Sequence, residues 1–277
     1  MYRIIVDSTL SLENEFVKEH NIKVASLKLN CDDQIFDEKN LDEWDSLYEK
    51  MLHTKEFPKT TQPSPEDFEN AINEILAEDE HAKILILAMS SLLSGTCNCA
   101  RLVASQFSGV EIHVIDTLLT TILGNIVMDE VVKLNQNGAS AQRIEDYIRN
   151  FEKRSHVLIL PKDLVYLKRG GRLSAVSYAI AKTIQIKPII TLAGGELSVI
   201  KKVVGEKRAL QELIELPQKY QGKTYVVPVY KSDYLDALKS AYEKLGIKIE
   251  KYFHSMDPVI GCHVGPGGIA MVTVECE

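Results

Sequence analysis

Short apolar runs alternate along this chain with longer stretches in which apolar residues recur every three or four positions. "RIIVDS", "KILILAM" and "EIHVIDT" are continuous aliphatic and β-branched runs, the pattern of strands covered on both faces. "LENEFVKEHN" reads as a helix, and "KVASLKLNC" after it as one further strand. "LDEWDSLYEKML" carries Leu41, Trp44, Leu47, Tyr48 and Met51 at helical spacing, and "PEDFENAINEILAE" repeats that spacing with Pro65 in its first turn. Strands alternating with amphipathic helices predict an α/β fold whose first half is built on a mainly parallel, Rossmann-like sheet.

Beyond residue 155 the alternation returns less regularly. "HVLILP" and "KTYVVPVY" read as strands, "SDYLDALKSAYEKLG" as a helix stopped at Gly246, and "IKIEKYFHSM" and "GIAMVTVE" as closing strands. "GGELSV" reads as a turn entering a strand. Two α/β domains are therefore expected, 1–155 and 156–277, with the second half also able to lend a strand to the first.

Composition narrows the function classes. The 277 residues are 45% hydrophobic, enough for sizeable cores, and carry a formal net charge of -7. No broad cationic face is implied, which argues against nucleic acid or an anionic membrane surface as the main partner. No apolar run approaches the ~18 residues of a membrane span. "MYRIIVDSTLSLENEF" lacks the basic start, long apolar stretch and cleavage site of a signal peptide. A soluble, cytoplasmic protein without stable membrane insertion is expected. The five cysteines (Cys31, Cys97, Cys99, Cys262, Cys276) form no CxxC pair and read as free thiols in a reducing compartment. H-E-x-x-H, G-x-x-x-x-G-K-[ST] and a post-strand G-x-G-x-x-G are all missing, so no metal, nucleotide or dinucleotide cofactor is expected.

Candidate chemistry sits in clusters of hydroxyl and glycine residues beside strands: "DST" (Asp7–Thr9), "TTQPS" (Thr60–Ser64), "SGT" (Ser94–Thr96) and "HVGPGG" (His263–Gly268). In an open parallel sheet such loops converge beyond the carboxyl ends of the strands. A helix beginning at Ser94 would use that hydroxyl as N-cap, and with Gly95 and Thr96 it would also form an anion seat for a carboxylate or phosphate. Ser64 is read as the cap of the helix opened by Pro65, leaving Thr60 and Thr61 as donors to the same anion. His263, before a glycine-rich turn, is either a satisfied structural residue or a pocket wall that balances a carboxylate as imidazolium. "KRGGR", with Arg169 and Arg172, is either a solvated helix end or an anion contact, and the sequence does not separate the two. A serine hydrolase using Ser94 with His263 and Asp7 or Asp116 is the alternative. The G-x-S-x-G elbow is not met, because Leu92 and Thr96 occupy its glycine positions.

Taken in order, "VDST", "KTTQPS", "SSLLSGTCNCA", "VIDT", "LVYLKRGGRLS", "IKPII…GGEL" and "GCHVGPGG" resemble the DegV family of bacterial fatty-acid-binding proteins, over essentially the whole chain. The resemblance implies a first domain with carboxyl-binding loops, a second covering the acyl chain, and a lipid site between them. It implies that Thr61 and Ser94 bind the carboxyl group of a long-chain, palmitate-like fatty acid, with Thr60 and His263 as neighbours in that network and Gly95 and Thr96 beside it. It implies a carrier, not an enzyme. The carrier hands the acid to a separate fatty acid kinase, which makes an acyl phosphate for phospholipid synthesis, with Arg169 and Arg172 as candidate kinase contacts. Three departures stand out: Thr61 for a usual Ser, Leu92 for a usual Gly, and Asp116-Thr117 for a usual Asp-Ser.

Overall fold

The computed structural model describes residues 1–32, 34–54, 57–171 and 186–276. The chain divides into two compact units, one of Met1–Trp44 and Lys59–Glu152, the other of Asp45–Pro58 and Lys153–Glu277. The segment Asp45–Pro58 thus groups with the later half of the chain. A single cut near residue 155 does not capture that excursion.

The first unit runs through β1 (Tyr2–Asp7), α1 (Asn14–Glu19), β2 (Lys23–Ala25), β3 (Lys28–Cys31) and β4 (Gln34–Asp37). After α2 (Trp44–His53), which belongs to the second unit from Asp45 on, come β5 (Lys59–Thr61), α3 (Pro65–Glu78), β6 (Lys83–Ala88) and α4 (Thr96–Ala104). β7 (Ile112–Asp116), α5 (Ile122–Gln136) and α6 (Ala141–Lys153) complete the set. Strands β2-β1-β6-β7 form a wholly parallel sheet, as the apolar runs predict. Ile84 to Ala88 are each 0% exposed, which places β6 between covering layers on both faces. On one side Ile5, Ile84 and Ile86 pack with Phe68, Ile72 and Val103 from α3 and α4.

The single strand expected in "KVASLKLNC" is two strands in different sheets. At the break, the Leu27 amide donates to Ser8 Oγ (2.9 Å) and the Leu27 carbonyl accepts from the Glu38 amide (3.1 Å). Both groups leave the parallel ladder there. β3 then joins an antiparallel sheet of order β4-β3-β5, which the apolar pattern did not announce because its strands span only three or four residues. α3 follows the sequence closely: Ser64 caps it, its hydroxyl accepting from the Asp67 amide while Asp67 accepts from the Ser64 amide, with Pro65 at the first position.

The second unit contains β8 (Ser155–Leu160), α7 (Leu164–Arg169), β9 (Ile186–Ala193), β10 (Glu196–Val204), α8 (Glu206–Lys219) and β11 (Gly222–Pro228). It continues with α9 (Tyr234–Leu245), β12 (Lys251–Tyr252), α10 (Pro258–Val264) and β13 (Ile269–Glu275). Its sheet has the order β10-β9-β8-β13-β11-β12, antiparallel except at β11–β12. Each described strand of this half joins that sheet, so none is lent to the first. Gly194 and Gly195, both at positive φ (59° and 79°), form the two-residue connection from β9 to β10. "IKIEKYFHSM" supplies only the two-residue edge strand β12, because Ile247 and Ile249 turn inward to pack on the core around Leu213, Val226 and Tyr242. Among the described residues no helix is long and apolar enough to cross a membrane.

Helix α5 is pinned to the exit of β1. A Cβ added at Gly124 would lie 2.9 Å from Leu10 Cα, a backbone atom that cannot move aside. Gly124→Ala is expected to destabilise the first unit by ~1–3 kcal/mol, read as a lower urea midpoint with unchanged slope.

Candidate functional site

The order β2-β1-β6 places successive crossovers on opposite sides of β1, so the crevice of this parallel sheet lies at the carboxyl ends of β1 and β6. Both loops leaving those ends are held by buried side chains. Asp7, 1% exposed, accepts from the Thr9 amide (2.9 Å), the Thr9 hydroxyl (2.6 Å) and the Met89 amide (2.5 Å). After Met89 the chain turns tightly: Leu93 and Ser94 amides donate to the Ser90 carbonyl, and the Ser90 amide donates to the Leu119 carbonyl. The Ser91 amide is taken by Asp116 Oδ1 (3.2 Å).

This turn delivers Ser94, half-buried, at the mouth of α4. The helix begins at Thr96 rather than at Ser94, and its N-cap is Gly95, which makes no side-chain capping bond. Ser94 is therefore not the cap. Its hydroxyl sits 2.9 Å from the Thr96 hydroxyl, with the Thr96 amide at 3.4 Å. A serine nucleophile needs a base beside its oxygen, whereas the partner here is a second alcohol. Asp116, for its part, accepts the Ser91 and Leu118 amides.

The "TTQPS" segment reaches the same place. A Cβ on Gly95 would overlap the Gln62 carboxamide oxygen, so the absent side chain is what lets Gln62 lie against the turn after Ser94. Cys99 Sγ lies 3.6 Å from the Pro63 carbonyl, a second contact between the two segments. The sequence pattern assigns Gln62 no role, because a side chain known only by its neighbours carries no signal until the loops are folded. Thr60 and Thr61 behave differently. β5 pairs with β3 so that Thr60 faces Leu29 and Thr61 faces Lys28. Strand alternation puts the two hydroxyls on opposite faces, Thr61 exposed and Thr60 on the side of fully buried Leu29. One oxygen atom therefore does not meet both from a single wall. Leu92, the bulky departure, stands 61% exposed.

In the second unit the structure joins the other two motifs. His263 is buried in the last turn of α10, which is capped by Asp257 through the Ile260 amide (3.0 Å). "HVGPGG" thus begins inside a helix, not in a loop. Gly170, which ends α7, is where the His263 ring lies; a Cβ there would overlap Nδ1. Gly265, at φ 93°, leaves room for the Tyr166 ring, which a Cβ would meet at 2.5 Å. Phe57 flanks both rings, its centroid 6.1 Å from Tyr166 and 6.4 Å from His263. Burial pushes the Tyr166 hydroxyl above its ordinary pKa. Arg169 is exposed in the last turn of α7; Arg172 lies outside the described residues. Among the described residues no group of three His, Cys, Asp or Glu side chains is placed to hold a metal ion.

A parallel α/β unit with hydroxyl-bearing loops at its strand ends, followed by an antiparallel α/β unit carrying a buried histidine between glycines, defines a two-unit α/β architecture. The family model described as "Uncharacterised protein, DegV family" matches residues 1–275, and the chain belongs to that family. A DegV domain-containing protein of Clostridium acetobutylicum is 28% identical, with 97% of this chain and 96% of the relative covered. The solved structure of a DegV family protein from Thermus thermophilus, described by its fatty acid binding, superposes with a TM-score of 0.85 at 25% identity, covering 99% of both chains. A fatty-acid-binding DegV family protein from Streptococcus agalactiae shares the fold with a TM-score of 0.88 at 23% identity, covering 100% of this chain and 99% of that one.

The thiols near the turn are inert. Burial pushes Cys97 up to about 11 and raises Cys99 as well. At pH 8 the Cys97 thiolate is then about one part in a thousand. A disulfide-exchange reagent is expected to titrate one fast thiol in the native protein, the exposed Cys276, and the four buried ones only on unfolding.

Proposed function

We propose that this chain binds one long-chain fatty acid and presents its carboxylate to a separate fatty acid kinase for acyl-phosphate formation, acting in the cytoplasm as a carrier and not as an enzyme. The observation that carries the reading is the meeting of Gln62 with Gly95, which brings the segment holding Thr61 against the turn holding Ser94. The fatty acid binding by which the Thermus thermophilus relative is described supplies the ligand class. In this reading Thr61 and Ser94 donate to the carboxylate, Thr96 orients the Ser94 hydroxyl, and His263 is a further member of the network, while Thr60, on the opposite face of β5, takes no direct part. Arg169, exposed at the end of α7, and Arg172 are the contacts offered to the kinase.

The energetics suit a seat made of alcohols. Burying a methylene is worth ~0.8 kcal/mol, so a tail of about fifteen contributes roughly 12 kcal/mol before association costs. With the tail supplying affinity, the head group needs orientation more than charge neutralisation. A bidentate arginine would tie up both carboxylate oxygens, whereas two hydroxyls leave one free to attack a phosphoryl donor. The serine-hydrolase alternative loses ground because Ser94 is paired with Thr96.

Two measurements test the reading. Native mass spectrometry of protein purified from a bacterial host is expected to show one acyl chain per molecule, identified after lipid extraction. Ser94→Ala and Thr61→Ala are each expected to weaken fatty acid binding about fivefold or more, as loss of a hydrogen bond to a charged group implies, with the circular dichroism unchanged. Unaltered affinity in both variants, or labelling of Ser94 by a fluorophosphonate, would refute it.

A further inference from the structure

A second set of donors lies at the same edge of the parallel sheet, beside the loop that carries Ser94. Thr120 is 4% exposed, Thr121 follows it, and both hydroxyl oxygens are sealed from solvent without a hydrogen-bonding partner among the described residues. Buried hydroxyls are ordinarily satisfied, so two orphans side by side need an explanation. They immediately precede α5, fifteen residues long, whose N-cap Thr121 makes no side-chain capping bond. The Thr121 amide is spent on the Thr9 carbonyl (2.6 Å), and the Gly124 and Asn125 amides on the Thr121 carbonyl. The intervening amides belong to Ile122 and Leu123, 2% and 3% exposed, and find no acceptor among the described residues. Two hydroxyls and two amides thus lie along the stretch 120–123 with no acceptor among the described residues.

What they would accept is constrained by the surroundings. Leu10 and Leu119 are fully buried on either side, and the charged groups that hold these loops are both carboxylates, Asp7 and Asp116. A further full negative charge buried in loops already held by two carboxylates is disfavoured, and no cation of these loops offsets it. A neutral oxygen fits: a hydroxyl or a ketone. The loop is joined directly to the carboxyl seat, since the Leu119 carbonyl accepts the Ser90 amide (2.9 Å) and the Ser90 carbonyl accepts the Ser94 amide (3.2 Å).

Resting on the fatty-acid reading above, we infer that Thr120 and Thr121 form a station for a neutral oxygen carried on the hydrocarbon chain, and that the preferred ligand class is hydroxy- or oxo-fatty acids rather than plain ones. The backbone supports a dedicated feature: Thr121 holds φ 49° and ψ −136°, a conformation costly for any residue but glycine.

The test compares delipidated protein binding octadecanoic acid with a positional series of monohydroxy- and oxo-octadecanoic acids. At least one isomer is expected to bind about tenfold tighter than the parent acid, the gain of an oxygen that satisfies otherwise orphaned donors. Thr120→Val and Thr121→Val are each expected to bring that ratio close to one, while Thr120→Ser restores it and reports that the fold is intact. Lipid-free Thr120→Val should also melt higher than the parent, having lost an unpaired buried hydroxyl. If the parent acid binds and no oxygenated isomer exceeds it, or the ratio survives in both valine variants, the station is refuted while fatty acid binding stands. If no fatty acid of either kind binds, the carrier reading fails and the station falls with it.

Discussion

The hydroxyl-bearing loops of the first unit depend on one buried carboxylate. Asp7 ends β1 and reaches across to the amide of Met89 at the end of β6, while also holding the amide and hydroxyl of Thr9. A parallel ladder leaves its last amides without ladder partners, and burying such groups unpaired costs about 1–3 kcal/mol each. Asp7 removes that cost at both strand ends with a single side chain. The consequence is geometric. The turn Ser90–Gly95 leaves β6 from a fixed point, and the Thr9 carbonyl, fixed by the same carboxylate, receives the amide that starts α5. The Ser94 hydroxyl and the donors at Thr120 and Thr121 are therefore positioned by one structural device.

The long, fully buried strands were legible in the sequence because covering both faces leaves no room for polar residues. "KILILAM" and β6 differ by one residue at the C-terminal end. The same logic explains what was missed. A three-residue strand such as β5 is too short for alternation to show, and its partner β3 was absorbed into "KVASLKLNC". The break there rests on Ser8, nineteen positions earlier, which accepts the Leu27 amide. No local pattern encodes a partner that distant. The amphipathic helix ending at His53 was visible, but its grouping with residues beyond 153 was not, because an apolar stripe specifies burial without naming the surface that buries it.

For the site, composition located the loops and left their internal geometry open. Ser64 was readable as a cap because the capping pattern is local, with Asp67 three residues on. The N-cap of α4 falls one residue later than the sequence suggests, at Gly95 instead of Ser94, since a serine before glycine and threonine offers two starts and only the turn closed by Ser90 selects one. Glycine carried more information than its neighbours did. Gly95 admits Gln62, Gly170 admits His263, and Gly265 admits Tyr166; in each case the partner belongs to a motif or helix remote in sequence. Thr60 and Thr61 look equivalent as text, yet strand alternation assigns them to opposite faces.

The chemistry of the two hydroxyl sets differs in a way that follows from their partners. Ser94 and Thr96 satisfy each other, so an arriving carboxylate exchanges an existing bond for a stronger, charge-assisted one, and departure restores the old pair. Such a seat is reversible, which the proposed carrier role would require. Thr120 and Thr121 have no fallback partner, so whatever oxygen reaches them gains the whole hydrogen bond and leaves a costly vacancy when it goes. A self-satisfied pair at the head favours release, whereas an unsatisfied pair discriminates sharply between chains that carry an oxygen and chains that do not. Under the proposed reading, orientation by Ser94 and selectivity by Thr120 and Thr121 are separable properties, each set by a different balance between hydrogen bonds already made and hydrogen bonds still available.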